Sequence, residues 1–379
     1  MIYFDNGATT FPKPQSVHRA VGEALTRYGA NPGRSGHQMS LQTAIKVYDS
    51  REAAAQLLGA GAVEDVVFTQ NCTQALNIAI KGVLRQGDHV IISDLEHNSV
   101  LRPIHTLAER GIITYSVAST AQDDEETVAA FENRIRPNTR LIICTHGSNV
   151  FGIRLPIEKL GQLCHKKDIL FMVDGAQTAG VAEIDVTKMG IDFFCTAGHK
   201  SLYGPSGTGL LITPLGNVLE TVMEGGTGTR SMEYSQPESM PDRLESGTVN
   251  TMGILGLGAG IGYVKQKGIQ NIYNQEMAVG ETIFNRLSRM NNILLYTNTF
   301  ERGKHLPVIS FNIEGVSSEE TVAKLDQQGF ALRGGFHCSP LAHQKMGTDQ
   351  TGTARISIGS FNTREQAEKL CMAIKKVAG

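Results

Sequence analysis

Residues 192–213 read DFFCTAGHKSLYGPSGTGLLIT, and this stretch decides the fold. Two apolar runs, at 192–196 and 209–213, have the length and composition of strands that are buried on both faces of a sheet. The turn between them is rich in glycine and places Lys200 shortly after the first strand ends. A lysine in that position could form a Schiff base with a carbonyl compound.

Similar apolar runs precede this stretch, and helix-like segments such as 73–84 and 156–167 separate them. The runs are VVFT (66–69), HVIIS (89–93), RLIICT (140–145) and ILFMVD (169–174). Strands that alternate with helices predict βαβ units and a mostly parallel sheet. The sequence therefore predicts an α/β protein whose sheet carries helices on both faces.

The pattern changes after about residue 255, where helices and strands at 255–268, 305–313 and 363–377 suggest an α+β region. We expect a large domain over residues 16–255 and a small C-terminal domain over residues 256–379. The N-terminal segment, 1–15, should pack on the small domain. GLGAGIG (256–262) lacks the register and context of a dinucleotide-binding loop, so we interpret it as a helix with small residues for close packing.

Composition excludes several classes of protein. The 379 residues suffice for two domains, and the net charge of −2 gives no sign of nucleic acid or an anionic membrane as a partner. The apolar runs are too short to span a bilayer, and no secretory signal is visible. The six cysteines are scattered without a C-x-x-C pair, which is typical of a reducing cytosol and offers no zinc site. We therefore expect a cytoplasmic protein without a metal.

The polar residues that follow the strands point to a cofactor, because ligands of open α/β sheets bind beyond the carboxyl ends of the strands. Asn71 to Thr73 open a helix there and could bind phosphate, although a plain N-cap explains the same residues. Asp174 ends one strand, where a buried acid needs a cation, and Lys200 follows the next. An acid, a lysine and an anion site are what pyridoxal 5'-phosphate (PLP) requires of a protein.

The chain resembles the class V aminotransferase family of PLP enzymes, fold type I, and within it the cysteine desulfurases. The resemblance extends over nearly the whole chain and implies a large, mostly parallel-sheet domain plus a smaller α+β C-terminal domain. It rests on YFDNGATT (3–10), NPGRSGH (31–37), FTQNCTQALN (68–77), EHNS (96–99), HGSNVFG (146–152), VDGAQ (173–177), AGHKSLYGPSGTG (197–209), ESGTVNT (245–251), RGGFHCSP (333–340) and GTARISIGSFNT (352–363).

This resemblance implies a role for each matching residue. Lys200 would be the Schiff-base lysine, Asp174 would pair with the pyridinium nitrogen, Gln177 would bond the ring hydroxyl, and His97 would stack on the ring and serve in proton transfer. The phosphate would be held by Cys72, Thr73, His199 and, from the neighbouring subunit of a homodimer, Thr248. The substrate would contact Asn149, Arg355 and, from the neighbouring subunit, His37.

Cys338 favours a desulfurase over a transaminase. Its flanks are Gly, His, Ser and Pro, which argues against a buried structural cysteine, and Gly334 and Gly335 would let the segment move. The resemblance implies that Lys200 removes the α-proton of L-cysteine and that the Cys338 thiolate attacks its sulfur. The products would be L-alanine and a persulfide on Cys338, whose sulfur passes to an acceptor protein or thiol.

Three other functions stay open from the sequence. A selenocysteine lyase, acting on L-selenocysteine, would use the same fold and most of the same residues. Another class V aminotransferase or an epimerase would leave Cys338 idle. A non-catalytic scaffold is the third alternative, and the intact set of Lys200, Asp174, Gln177 and Arg355 argues against it.

The sequence departs from the family pattern near the phosphate site and near the cysteine. Ala197 stands where a phosphate-binding serine is common, and Thr196 or a backbone group is a candidate replacement. Ser201 looks like an extra residue before Tyr203, and Phe336 stands where a second histidine is frequent. These departures leave the natural substrate and acceptor more open than the type of reaction.

Overall fold

The structure is a computed structural model that describes residues 1–33 and 36–379; Arg34 and Ser35, within the NPGRSGH motif, lie outside the described residues. The helices are α1 (Gln15–Thr26), α2 (Gln38–Leu58), α3 (Cys72–Val83), α4 (Asn98–Glu109), α5 (Asp124–Glu132), α6 (Ile157–Lys167), α7 (Thr251–Lys267), α8 (Ile269–Leu287), α9 (Ser318–Asp326), α10 (Pro340–Lys345) and α11 (Arg364–Ala378). The strands are β1 (Ile2–Tyr3), β2 (Val66–Thr69), β3 (His89–Ser93), β4 (Thr114–Ala118), β5 (Thr139–Thr145), β6 (Leu170–Asp174), β7 (Phe193–Ala197), β8 (Gly209–Ile212), β9 (Ile293–Leu295), β10 (Val308–Ile313), β11 (Phe330–Ala331) and β12 (Ala354–Ser357).

The central sheet has the strand order β2-β8-β7-β6-β5-β3-β4. Neighbouring strands from β7 to β4 run parallel, whereas β8 is antiparallel to both of its neighbours. The mostly parallel sheet is therefore confirmed, and each predicted strand of this sheet lies within one residue of its expected ends. Edge strand β4 escaped prediction because its sequence, TYSVA, is only partly buried and so is only partly apolar.

Alternate side chains of each central strand enter two separate cores. Ile91, Ile142 and Val173 pack in one core, while their neighbours Ile143 and Met172 pack in the other. Because successive residues of a strand point to opposite faces, both faces of the sheet must be covered. This is the reason that the strands appear in the sequence as continuous apolar runs.

The C-terminal region has its own small sheet, in the order β12-β10-β9, and its own core. Strand β1 pairs in parallel with β11, and Phe4 enters this core, so the N-terminal segment packs against the C-terminal region. Helix α7 still contributes Leu257 and Ile261 to a core of the central sheet. The exact division at 255/256 stays a prediction.

Helix α7 contains GLGAGIG, which is helical as the sequence predicts. A Cβ on Gly260 would lie 2.2 Å from the carbonyl oxygen of Leu202, so the small residue permits close packing against the turn that follows Lys200. Among the described residues, no helix is long and apolar enough to cross a membrane.

Candidate active site

The loops that follow β2, β3, β5, β6 and β7 meet at one cavity of about 220 Å³. This position follows from the topology, because the carboxyl ends of these strands lie along one edge of the sheet. The cavity brings together the predicted residues Cys72, Thr73, His97, Asn149, Asp174, Gln177, His199, Lys200 and Arg355. It is also lined by residues that the sequence left without a role, including Gly7, Ala8, Ser99, Arg333 and His337.

Asp174 ends β6 and is buried. Its Oδ1 atom accepts hydrogen bonds from the Ala176 N–H (2.9 Å) and from the Cys72 thiol (3.4 Å). Burial raises the pKa of the Cys72 thiol well above its usual range, so this thiol stays a neutral donor. The Oδ2 atom of Asp174 receives no hydrogen bond from the described residues, which leaves it for a cationic group in the cavity.

Lys200 follows β7 and lines the same cavity as this carboxylate. Burial lowers the pKa of its amine, and the charge of Asp174 opposes part of that shift. Within the described part of the chain, the amine makes no hydrogen bond. A buried amine with a lowered pKa is more often unprotonated and is a better nucleophile and base than an exposed lysine.

His97 is oriented by its neighbour on the first turn of α4. Its Nδ1 atom lies 3.0 Å from the Ser99 N–H and 2.9 Å from the Ser99 hydroxyl, which in turn lies 2.7 Å from the Thr73 hydroxyl. A backbone N–H can only donate, so Nδ1 is an acceptor and the proton of the neutral ring is on Nε2. Burial lowers the pKa of His97 to about 4, which keeps the ring neutral at pH 7.

The predicted anion site includes His199, which lines the same cavity as Cys72 and Thr73 at the start of α3. Burial lowers the pKa of His199 to about 4, and its buried Nδ1 atom has no partner among the described residues. Thr196 does not replace the serine that is missing at Ala197, because its hydroxyl donates to Gly175 O (3.1 Å) and has no second proton for a phosphate. This bond argues against Thr196 as the replacement, and compensation by a backbone group stays a prediction.

Arg355, on β12, is fully buried at the cavity wall. Its guanidinium donates to Asn149 O (2.9 Å) and to Asp5 Oδ1 (2.6 Å), and its buried Nε has no partner among the described residues. Gln177 donates one amide hydrogen to Gly7 O at 3.0 Å. Asp5 and Gly7 both belong to YFDNGATT, so the N-terminal segment orients two residues of the site.

Asn149 contacts the cysteine loop, which we define as residues 336–339. Its Nδ2 donates to His337 O (2.8 Å), and its Oδ1 accepts from the Ser339 hydroxyl (2.7 Å). The sequence suggested only a contact to substrate for this residue. That contact stays a prediction, and the structure adds a second role that no sequence pattern indicated.

Cys338 is exposed, whereas the other five cysteines are buried. The Asn98 N–H donates to Cys338 O at 2.7 Å, which fixes the cysteine backbone beside His97 at the rim of the cavity. His337 and Cys338 have φ values of 48° and 60°. This left-handed conformation costs a residue with a side chain roughly 1–2 kcal/mol, so neighbouring contacts must hold it.

The two glycines before the cysteine loop have structural reasons to be glycine. A Cβ on Gly334 would lie 2.8 Å from Ser318 O, and Gly335 has a φ of +102°. Close approach and positive φ account for both residues. Movement of this segment during turnover stays a prediction.

Thr248 and His37 lie outside the cavity. Thr248 is exposed and lies in a surface groove with Gly207 and Asn250. His37 is exposed and caps α2, where its Nδ1 accepts from the Ser40 N–H at 3.2 Å. Within one chain neither residue reaches the site, and their contribution to a neighbouring subunit stays a prediction.

Comparison with known proteins identifies the family. The family model described as Aminotransferase class-V matches residues 2–370, and the chain belongs to that family. A probable cysteine desulfurase from Methanothermobacter thermautotrophicus is 33% identical over 389 aligned residues, which cover 100% of this chain and 95% of that protein.

Solved structures agree with this assignment. A cysteine desulfurase from Thermococcus onnurineus has a TM-score of 0.92 and 30% identity, with 100% of this chain and 94% of that chain covered. A cysteine desulfurase from Escherichia coli has a TM-score of 0.88 and 26% identity, with 99% and 94% covered. The predicted fold class is confirmed, and the chain groups with the cysteine desulfurases of its family.

Proposed function

We propose that this protein is a PLP-dependent cysteine desulfurase, which converts L-cysteine to L-alanine and carries the sulfur as a persulfide on Cys338. The observation that carries the proposal is an exposed cysteine at the rim of a cavity that also contains Lys200 and Asp174. A transaminase needs the lysine and the acid but has no use for the thiol. The names of the full-length relatives support the same reaction.

The cavity fits PLP on three observations. In the described part of the chain, the hydrogen bonds to Asp174 go to Oδ1 and none to Oδ2, and the buried Nδ1 of His199 has no partner. The first-turn N–H groups of α3, at Cys72 and Thr73, have no intrahelical acceptor and suit an anion. Lys200 would bind the cofactor covalently, and Gln177 and His97 would contact its ring. When bound, PLP supplies an electron sink for charge that develops at the α-carbon of the substrate.

The chain's own residues would orient the amino acid and move its protons. Arg355 is cationic, and Asp5 holds its guanidinium in place. Its buried Nε has no partner among the described residues, so the guanidinium can still donate to a second anion such as the substrate carboxylate. Asn149 would contact the same carboxylate. The Nζ of Lys200, with its lowered pKa, would take the α-proton.

The sulfur step belongs to Cys338. Its thiolate attacks the substrate sulfur, an S–S bond forms, and the bond between the sulfur and the β-carbon breaks. The electron pair of the broken bond stays on the substrate. The β-carbon takes up a proton, Lys200 returns a proton to the α-carbon, and the product is alanine. A nucleophilic acceptor thiol, free or on a protein, then removes the outer sulfur from the persulfide.

A homodimer is part of the proposal. Leu41, Ile45 and Tyr48 form an exposed apolar strip along one face of α2, and Met39, on the first turn of the same helix, is exposed as well. A second copy covering this strip would also explain why Thr248 and His37 lie outside their own cavity. Ile45→Glu should produce a monomer in sedimentation, whereas Met372→Glu, an exposed methionine on α11, should leave the dimer intact. Sedimentation of the wild type as a monomer would contradict this part of the proposal.

Product analysis with Cys338→Ser tests the reaction. The variant should bind PLP, because the thiol is outside the cavity, but it should release neither alanine nor sulfide from L-cysteine. Wild-type protein should gain the mass of one sulfur on Cys338. Desulfuration of cysteine by the variant at the wild-type rate would return Cys338 to a structural role.

The same assay with L-selenocysteine compares the two substrates. A wild-type protein that releases selenium rapidly and sulfur hardly at all would be a selenocysteine lyase. Formation of a keto acid without sulfide would indicate a transaminase, and absence of any product would favour a scaffold.

The cytoplasmic location stays a prediction, to which the six free cysteines of the structure lend support.

A further inference from the structure

The cysteine loop is held between two fixed ends. Before it, Gly335 exchanges two backbone hydrogen bonds with Thr353, at 3.1 and 3.0 Å. After it, α10 is anchored by Lys345, whose amine lies 2.7 Å from Asp94 Oδ2. The position of the Cys338 thiol therefore depends on the contacts of only four residues.

Ser339 makes a hydrogen bond that capping of its own helix does not explain. It is the N-cap residue of α10, where a serine hydroxyl usually accepts a hydrogen bond from the first turn. Here the side chain makes no capping bond. The hydroxyl is fully buried and donates instead to Asn149 Oδ1 at 2.7 Å.

Asn149 connects the two sides of Cys338. Its Oδ1 accepts from Ser339 and its Nδ2 donates to His337 O, so one amide bonds the residues directly before and after the cysteine. The backbone at His337 and Cys338 is strained, because both residues have a positive φ. The two bonds from Asn149 oppose relaxation of this segment to an ordinary conformation. Without the Ser339 hydroxyl, the Asn149 amide keeps only its bond to His337 O and is less firmly oriented.

We propose that Ser339 is a positioning residue for the Cys338 thiol and that it acts through Asn149. The hydroxyl fixes the orientation of the Asn149 amide, and the amide holds the cysteine loop in its strained conformation beside the cavity. The importance of this role for catalysis rests on the proposed function of Cys338. The contact itself can be tested without any substrate.

Alkylation of the resting protein with iodoacetamide, followed by peptide mass mapping, tests the contact. Ser339→Ala should increase the alkylation rate of Cys338 about fivefold, the ratio that corresponds to one hydrogen bond of about 1 kcal/mol. The five buried cysteines report unfolding, because they react only if the fold loosens generally. An unchanged Cys338 rate in a folded Ser339→Ala protein would overturn the proposal.

Ser50→Ala is the matched control. The Ser50 hydroxyl is also buried and donates at 2.9 Å to the carbonyl of Lys46 on α2, and it makes no bond to the cysteine loop or to the residues that anchor it. This variant should leave the Cys338 rate unchanged. A fivefold increase here too would mean that any lost buried hydrogen bond has the same effect, and the specific role would be refuted.

A double-mutant cycle tests the path through Asn149. Asn149→Ala opens the same contact from the other side and serves as the second variant if Ser339→Ala folds poorly. The double variant should react no faster than Asn149→Ala alone. Additive effects would show that Ser339 acts independently of Asn149.

Steady-state kinetics with L-cysteine add a catalytic readout. Ser339→Ala should lower kcat more than it raises KM, since the hydroxyl positions the thiol and contacts no substrate. A change in KM alone would assign the hydroxyl to substrate binding and overturn the proposal. If Cys338→Ser already fails to stop desulfuration, the proposed function is wrong, while the alkylation result still stands.

Discussion

Asp5 and Arg355 form an ion pair, with Oδ1 and Nη2 2.6 Å apart, although 350 positions separate them in the sequence. The Arg355 side chain is 1% exposed and that of Asp5 is 19% exposed. A buried guanidinium needs a fixed counter-charge, so the N-terminal segment is a structural part of the candidate substrate site. The sequence around Asp5 does not predict its pairing with Arg355, and the sequence around Arg355 does not predict its pairing with Asp5.

Asp5→Ala should destabilise the protein by about 3 kcal/mol, because removal of one partner leaves a buried charge without compensation. Urea unfolding of the variant and the wild type measures the difference. Glu365→Ala, which breaks an exposed ion pair with Lys369 on α11, should cause no measurable change. Equal unfolding midpoints for Asp5→Ala and the wild type would show that Arg355 does not depend on Asp5.

Lys200→Ala should abolish covalent attachment of PLP, measured as the cofactor mass fixed by borohydride reduction. The appropriate control is Lys13, whose amine donates to His199 O at 2.6 Å and whose pKa burial lowers to about 8. Lys13→Ala should keep the covalent adduct. Loss of the adduct in Lys13→Ala alone would exchange the roles of these two lysines.

Asp174→Ala should lower kcat with L-cysteine by roughly three orders of magnitude, the effect of losing about 4 kcal/mol of electrostatic stabilisation. Its matched control is Asp192→Asn, which changes a part-buried acid whose carboxylate accepts from the Phe171 N–H at 2.7 Å, away from the cavity. That variant should retain activity. Turnover within tenfold of the wild type in Asp174→Ala would refute the role given to this carboxylate.

The PLP-free protein should lose stability as the pH falls from about 6.5 toward 4. Burial lowers the pKa of His97 and His199 to about 4 and of His146 and His337 to about 3. Below pH 6.5 the unfolded chain binds protons that the folded protein excludes, so acid favours unfolding, with a slope of about 1.4 kcal/mol per pH unit for each proton.

Glu96 opposes this trend. Burial raises its pKa from 4.5 to about 8, so its contribution to stability is present at low pH and is lost as the pH rises through 8. Burial also raises the pKa of Glu276 well above its usual value, and it lowers the pKa of His89 to about 4. Five histidines therefore oppose two carboxyls below pH 6.5, and the net slope keeps its sign. Thermal unfolding midpoints between pH 4.5 and 7.5 measure it, and His146→Gln should reduce the slope. A midpoint that does not fall with acidification would contradict the buried neutral histidines.

The strands of the central sheet that the sequence predicted are those whose two faces are both buried, because burial on both faces demands a continuous apolar run. Helices α1 and α2 and strand β4 were not predicted, since their packing is one-sided and their sequences mix polar with apolar residues. The residues on the cavity wall were predicted mainly by the family motifs. The contacts among those residues were not.

The sequence by itself determined the α/β class and the polar residues that follow each central strand, among them Asp174 and Lys200. It also showed an isolated cysteine in a polar segment. Those properties are local: a buried strand is apolar, and a reactive group follows its end. Only the tertiary structure decided that Asp5 pairs with Arg355 and that Asn149 holds the cysteine loop. Such pairings depend on how distant segments pack, and no spacing along the chain encodes a distance between two side chains.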